Sequence, residues 1–139
     1  MMQELALMNA RSGEMVATTT ELAVTRSARR RGLLDRSALD PSSALVLAPC
    51  LMIHTAFMRF SIDVIFVNRE GQVVRIVRDL APWRIAASFG AYATVELAAG
   101  ALASRDVAVG DRLYVEGAAD GGFTAAVLLP LSLAIVAPR

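Results

Sequence analysis

Hydrophobic and polar residues alternate with a period of two along several segments of the chain, which is the pattern of β-strands that bury one face. Between Val16 and Val24, β-branched or apolar residues occupy every second position. The segments between these runs contain glycine, asparagine or aspartate, which are typical of turns. The predicted strands cover residues 5–10, 15–25, 61–67, 72–78, 93–98 and 112–116, and residues 44–48 form either a short buried strand or an apolar loop.

The run SIDVIFV at residues 61–67 is the clearest of these strands. Because side chains alternate between the two faces of a strand, this run separates into two sets. The first set is Ile62, Val64 and Phe66, and the second is Asp63, Ile65 and Val67. If residues 52–58 are also extended, His54 and Met58 share a face.

One segment favours a helix. Hydroxyl groups at Thr25 and Ser27 can cap a short helix over residues 28–34, and Gly32 can end it. About seven short strands and one short helix predict a mainly β protein. We expect a single-domain antiparallel β-sandwich or closed barrel of jelly-roll-like character, formed by residues 1–117.

Residues 118–139 form an apolar C-terminal extension, which we expect to pack on the same domain. Its core, residues 123–137, is almost wholly apolar and contains Pro130. It is shorter than the roughly 20 residues that a membrane-spanning helix needs. Two interpretations stay open: a pair of core strands kinked at Pro130, or a segment that docks a partner or joins subunits of a homo-oligomer.

The composition narrows the function class. Hydrophobic residues make up 55% of the 139 residues, and the formal net charge is only +1. This balance argues against the broad basic surface of a nucleic-acid-binding protein. No window has the roughly 18 apolar residues of a membrane span, and the N-terminus has no apolar core typical of a signal peptide. We therefore expect a cytoplasmic protein without a nucleic-acid partner or a transmembrane segment.

Three side chains are candidates for chemistry because each lies within an apolar pattern. His54 is the only histidine and can act as donor and acceptor, whereas Asp63 and Glu96 are carboxylates on predicted strands. A carboxylate on a buried strand requires a partner. Asp63 either accepts backbone N–H groups to fix a loop or stands at the rim of a pocket. His54 is either a core histidine or a ligand contact.

The sequence does not favour a metal or a cofactor. Cys50, His54 and Asp63 offer three ligand types, but structural zinc sites take four ligands and there is no second cysteine or histidine. The sequence contains no phosphate-binding loop, no dinucleotide fingerprint and no nucleophilic serine motif. We expect no metal and no cofactor.

Several motifs together resemble domain-of-unknown-function family 192, a group of small bacterial and archaeal proteins. They are Arg31-Gly32-Leu33-Leu34-x-Arg36, Ile53-His54-Thr55-x-Phe57-Met58-x-Phe60-x-Ile62-Asp63-Val64-x-Phe66, Val95-Glu96-Leu97-x-x-Gly100 and Gly110-Asp111. The similarity extends from about Val16 to Val115. The resemblance implies a compact β domain and no known activity. The chain departs from the family around Ala56 and Phe57 and at Ser61.

The sequence leaves three functional hypotheses. The first is a non-enzymatic module that binds a small molecule or a protein in a pocket near His54 and Asp63. The ligand-binding candidates are Arg36, His54, Thr55, Met58, Asp63 and Glu96. The second is an assembly protein that acts through its apolar C-terminal segment. The third is a hydrolase or lyase in which His54 and a carboxylate, Asp63 or Glu96, form the catalytic acid–base pair. We rank them in that order and expect that the protein is not an enzyme.

Overall fold

The computed structural model describes residues 5–118 and 124–128. Within these residues the chain forms short strands, one α-helix and one 3-10 helix. The helix α1 is Arg26–Arg31, and the 3-10 helix is Ala101–Ser104. The strands are β1 (Leu5–Asn9), β2 (Met15–Ala17), β3 (Thr19–Ala23), β4 (Ser43–Leu47), β5 (Met52–His54), β6 (Ile62–Val67), β7 (Val73–Leu80), β8 (Ile85–Ala87), β9 (Ala93–Ala98), β10 (Leu113–Ala118) and β11 (Thr124–Leu128).

The strands form three sheets. A four-stranded sheet has the order β11-β10-β1-β2, a five-stranded sheet has the order β3-β4-β9-β6-β7, and β5 and β8 form a two-stranded ribbon. Neighbouring strands are antiparallel except β3 and β4, which are parallel. The parallel pair requires a crossover connection, and α1 lies within it.

The first core contains residues of both larger sheets. Leu7 and Leu113 of the four-stranded sheet cluster with Val46, Ile65 and Leu97 of the five-stranded sheet. Side chains from two sheets in one cluster indicate that the sheets pack face to face. Burial of these apolar side chains is the main stabilising contribution of this layer.

The second core covers the opposite face of the five-stranded sheet. Val64 and Phe66 of β6 pack there with Leu33, which follows α1, and with Ile53 and Ala86 of the β5–β8 ribbon. The five-stranded sheet is therefore apolar on both faces, and all six residues of β6 are buried.

The helix is short because its ends are fixed by local groups. The Oγ1 atom of Thr25 accepts a hydrogen bond from the N–H of Ala28 at 3.1 Å, as an N-terminal cap does. At the other end Gly32 has a φ of 47°, and its N–H donates to the carbonyl oxygen of Ala28 at 3.0 Å. The left-handed φ, which glycine adopts without a Cβ clash, ends the helix three residues before the predicted boundary.

The predicted fold class is confirmed in its general form: the described residues are mainly β with one short α-helix. None of the sheets within the described residues closes on itself, so a closed barrel or jelly roll is not confirmed. The predicted alternation along β6 is confirmed, since Val64 and Phe66 lie in the second core and Ile65 and Val67 in the first.

The extended conformation considered for residues 52–58 ends at His54. The N–H of Met58 donates to the carbonyl oxygen of Thr55 at 3.1 Å, and Phe57 has a φ of 66°. The chain therefore turns after β5, and Met58 points into the second core while His54 is exposed. Residues 79–92, which lie outside the predicted strands, contain strand β8.

The C-terminal extension is described only in part. The backbone of β11 pairs with β10 in an antiparallel register, from Thr124 opposite Ala118 to Leu128 opposite Tyr114. The remainder of the predicted extension, including residues 129–139 and its proposed role in partner or subunit contacts, lies outside the described residues. No helix in the described part of the chain is both long and apolar enough to cross a membrane.

Candidate functional site

The two candidate carboxylates lie on adjacent strands of the five-stranded sheet. The register of β6 and β9 places Glu96 opposite Val64 and Asp63 opposite Leu97. Val64 belongs to the second core and Leu97 to the first. Because paired residues project to the same face of a sheet, Glu96 points toward the second core and Asp63 toward the first. The structure therefore does not bring these two carboxylates together.

A cavity of about 480 Å³ opens above Glu96, between the sheet, the end of α1 and strand β5. We call it the Glu96 cavity. Most of its walls are apolar, and Glu96 is the carboxylate among them. The lining residues are 29–34, Leu47, residues 49–54, Met58 and Glu96.

Glu96 is only 4% exposed. Among the described residues, no side chain or backbone group forms a hydrogen bond with its carboxylate. Burial raises the pKa of Glu96 to about 7, and the positive charge of Arg36 opposes that rise. Thr20 Oγ1 is the one fully buried side-chain atom without a partner among the described residues, so the Glu96 oxygen atoms are not sealed in the core. They face the cavity, where a ligand can donate a hydrogen bond to them.

Arg36 does not line the cavity. Its guanidinium forms two hydrogen bonds with the carboxylate of Glu21, at 2.7 and 3.0 Å. Glu21 lies opposite Leu45, and Leu45 lies opposite Glu96, so the three share one row across the sheet. The Arg36 charge therefore acts on Glu96 from a distance. It partly offsets the rise in the pKa of Glu96 that desolvation causes, but it forms no ion pair with Glu96.

The wall formed by α1 is attached to the sheet through Arg29. One guanidinium nitrogen of Arg29 donates to the carbonyl oxygens of Val24 at 2.7 Å and Ala48 at 3.2 Å. The loop between β4 and β5 also lines the cavity. In this loop the thiol of Cys50 donates to the carbonyl oxygen of Met52 at 3.3 Å. These contacts fix the opening between the helix and β5.

Two more predicted candidates line the Glu96 cavity. His54, the last residue of β5, is exposed at the rim, whereas Met58 is buried in the wall. Within the described part of the chain, no hydrogen bond joins His54 to a carboxylate. The structure thus places a histidine, a thioether and a buried acid at one opening, without the preformed histidine–carboxylate pair that an acid–base mechanism uses.

Thr55 anchors the ribbon. Its Oγ1 atom donates to the carbonyl oxygen of Ala81 at 2.6 Å and accepts from the N–H of Arg84 at 2.8 Å. Its N–H donates to the carbonyl oxygen of Arg84 at 2.8 Å. These bonds saturate a buried hydroxyl and hold β5 against the segment before β8.

Asp63 binds three backbone N–H groups. Its Oδ1 accepts from Asp79 at 2.8 Å, and its Oδ2 accepts from Gly100 and Leu102, both at 3.1 Å. These bonds join β6, the end of β7 and the start of the 3-10 helix, as the loop-fixing interpretation of Asp63 expects. Asp63 lines a separate, shallower opening with Arg78 and Gly100.

Sequence reasoning missed most of the walls of the Glu96 cavity. Leu33, Leu47 and Ile53 resemble ordinary core residues in the sequence, and Arg29 lies in an arginine run that is typical of an exposed surface. The acid Glu96 on an apolar strand was one signal for this place, but the sequence centred the predicted pocket on His54 and Asp63. Among the described residues, no three His, Cys, Asp or Glu side chains converge at a distance suited to a metal ion.

Two solved structures are similar to the chain over most of its length. A proposed transcription regulator from Sinorhizobium meliloti 1021 is 28% identical, with a TM-score of 0.70, and the match covers 84% of this chain and 93% of that one. A protein of unknown function from Novosphingobium aromaticivorans DSM 12444 is 22% identical, with a TM-score of 0.65, and the match covers 79% and 82% of the two chains. The second likeness shows the fold alone.

No curated protein sequence matches the chain significantly. The profile of domain-of-unknown-function family 192, described as "Uncharacterized ACR", matches residues 7–115. This range contains the helix, the β5–β8 ribbon and strand β9, and therefore the whole lining of the Glu96 cavity. The chain belongs to domain-of-unknown-function family 192.

Proposed function

We propose that this protein is a non-enzymatic binding module whose small-molecule ligand occupies the Glu96 cavity. The observation that carries the proposal is a largely buried glutamate whose carboxyl group faces a cavity and accepts no hydrogen bond from the described residues. The proposed site contains Glu96, His54 and Met58. We leave Asp63 and Thr55 out of it because their oxygen atoms already bind backbone groups.

The walls define the chemistry of the proposed ligand. The cavity volume of about 480 Å³ lies in the range of ordinary ligand pockets. Leu33, Leu47 and Met58 suit a compact apolar body. Glu96 suits a hydrogen-bond donor at the inner end of the ligand, such as an amine, a hydroxyl group or an amide N–H.

The scaffold for this site is, in our proposal, an open β-sandwich with the second core on its outer face. We do not extend the regulatory role suggested for the Sinorhizobium meliloti protein to this chain. This chain has a net charge of only +1, so it lacks the excess of basic residues that DNA binding requires.

A thermal-shift screen tests the proposal. The compounds are amines, alcohols and amides with compact apolar bodies, each paired with an analogue in which the donor group is methylated or absent. We expect some donors to raise the melting temperature of the wild type, and their analogues to have smaller effects. The variant Glu96→Leu removes the acceptor, and Glu70→Gln, which changes an exposed acid outside the cavity, is the matched control.

The expected result is that the active compounds stabilise the wild type and Glu70→Gln but not Glu96→Leu. If no compound shifts the melting temperature, or if Glu96→Leu responds as the wild type does, the proposed site is wrong. Isothermal titration of one active compound gives the affinity lost in the variant, which we expect to be roughly tenfold or more.

A further inference from the structure

Four large apolar side chains project from the outer side of the β5–β8 ribbon and its end. Met52, Phe57, Trp83 and Ile85 are between 57% and 72% exposed. We call them the ribbon face. On the strands the alternate residues, Ile53 and Ala86, are buried in the second core, so Met52 and Ile85 lie on the outer side of the ribbon. Met52 also lines the Glu96 cavity.

The aromatic residues at the end of the ribbon contact each other. The ring centroids of Phe57 and Trp83 are 4.6 Å apart, and the N–H of Trp83 donates to the carbonyl oxygen of Thr55 at 3.0 Å. Both aromatic residues have a φ of 66°, a left-handed backbone conformation that bulky side chains rarely adopt. The buried hydrogen bonds of Thr55 hold this turn and keep both rings exposed to solvent.

The two segments that carry the ribbon face contain basic but no acidic residues. Residues 49–61 and 80–92 contain Arg59, Arg84 and His54 but no aspartate or glutamate. Arg84 directly follows Trp83, and its guanidinium donates to the carbonyl oxygen of Trp83 at 3.2 Å. Tryptophan and phenylalanine beside arginine are the composition of protein surfaces at a membrane interface.

We propose that the ribbon face docks the protein on an anionic phospholipid surface. Trp83, Phe57, Ile85 and Met52 enter the boundary between headgroups and acyl chains, and Arg59 and Arg84 contact the lipid phosphates. Burial of four apolar side chains supplies the attraction, and the two segments that carry them add no acidic side chain that an anionic surface would repel. This binding is peripheral, and the ribbon face shares only Met52 with the lining of the Glu96 cavity.

The chain carries its own reporter of this contact, because Trp83 is its single tryptophan. The experiment combines Trp83 fluorescence with co-sedimentation on vesicles of phosphatidylcholine alone and on vesicles of an equimolar mixture with phosphatidylglycerol. We expect a blue shift of the emission and co-sedimentation with the mixed vesicles, and both should decrease as salt is added.

Two variants test the residues. Phe57→Asn suits the left-handed backbone at this position and therefore preserves folding, and we expect it to reduce vesicle partitioning roughly tenfold. Arg84→Glu should abolish the preference for the anionic vesicles. Val109→Ser is the matched control, since Val109 is 64% exposed but lies outside the ribbon, and its partitioning should equal that of the wild type.

Three results would overturn the proposal. They are no co-sedimentation of the wild type with anionic vesicles, equal binding by Phe57→Asn, and an unchanged Trp83 emission in the bound protein. If the wild type instead self-associates in analytical ultracentrifugation and Phe57→Asn does not, the ribbon face is a protein–protein interface and the lipid proposal is wrong.

Discussion

Asp63 and Glu96 lie on neighbouring strands of one sheet, one residue apart in register, and their side chains point to opposite faces. Asp63 is saturated by three backbone N–H groups, whereas Glu96 faces a cavity. Two buried carboxylates in similar apolar sequences therefore have different roles. Asp63 stabilises the connections at one end of the sheet, and Glu96 is available for a ligand.

Replacement of Glu96 should change how stability depends on pH. Because the folded-state pKa of Glu96 is raised from 4.5 to about 7, the folded protein binds the proton more tightly than the unfolded chain does. The stabilisation is fully present below the unfolded-state pKa and is lost as the pH rises through the folded-state value. From about pH 4 to about pH 8, the free energy of unfolding of the wild type should fall by about 3 kcal/mol from this group.

The free energy of unfolding of Glu96→Gln should not fall in this way. The stability of this variant relative to the wild type should therefore be greater at about pH 8 than at about pH 5. Urea unfolding at a series of pH values measures the effect. Glu70→Gln serves as the control because Glu70 is exposed. If the free energy of unfolding of the wild type and that of Glu96→Gln depend on pH in the same way over this range, the assigned environment of Glu96 is wrong.

Loss of the Asp63 charge should destabilise the fold. In Asp63→Asn an NH₂ group replaces one of the two oxygen atoms. In one amide orientation it faces the N–H groups of Gly100 and Leu102, and in the other it faces the N–H of Asp79, so a donor meets a donor in both. We expect a loss of about 2–4 kcal/mol in the free energy of unfolding. Asp79→Asn is the control, since asparagine tolerates the φ of 55° there and the backbone donor is retained. An equal loss in both variants would show that the Asp63 acceptor is not the cause.

Much of this arrangement could be predicted from sequence, and the failures have physical reasons. The run at residues 61–67 predicted a strand with Asp63 on the face of Ile65, because alternation is a local property. The sequence of this run does not specify the register between β6 and β9. That register places Asp63 and Glu96 on opposite faces of the sheet. The pairing of Arg36 with Glu21 likewise depends on the parallel pairing of β3 with β4.

The turn after β5 was missed for a different reason. Phe57 adopts a positive φ, although glycine or asparagine normally marks such a position. The alternating pattern thus continued in the sequence where the strand had ended, and His54 and Met58 were predicted to share a face. The conformation is held by the bonds of Thr55 to Ala81 and Arg84, which are more than twenty residues away in the chain.

Acid should weaken the contact between the β1–β2 turn and the segment before β10. Asp111 is buried, and its carboxylate accepts from the guanidinium of Arg11 at 2.6 and 2.9 Å and from Asn9 at 2.8 Å. The Arg11 hydrogen bonds lower the pKa of Asp111 to about 2. This stabilisation is present above the unfolded-state pKa and is lost as the pH falls from about 4 to about 2.

Asp111→Asn should therefore lose stability near neutral pH and show a weaker dependence on acid than the wild type does. Asp106→Asn is the control, because Asp106 also binds Arg11 but is exposed. Thermal unfolding between about pH 2 and pH 6 measures both variants. A steeper acid dependence in Asp111→Asn than in the wild type would contradict this assignment.

Two buried threonines should respond in opposite ways to valine. The Oγ1 atom of Thr20 has no hydrogen-bond partner among the described residues, whereas that of Thr94 donates to the carbonyl oxygen of Cys50 at 3.0 Å. Thr20→Val removes a buried polar group without a partner, so we expect a gain of up to about 1 kcal/mol. Thr94→Val should lose about 1–2 kcal/mol. Urea unfolding of both variants tests the pair, and the reverse order would be inconsistent with these contacts.

The binding role of the Glu96 cavity is tested most directly at the methyl group of Met58. Carbon-13 labelling of the methionine methyl groups gives a signal from the cavity wall, and Met15, which lies outside the cavity, gives an internal reference. We predict that compounds with a hydrogen-bond donor and an apolar body shift the Met58 signal, leave Met15 unchanged and lose this effect in Glu96→Leu. If no such compound moves the Met58 signal, or if the shifts are the same in Glu96→Leu, the cavity is not the binding site of this protein.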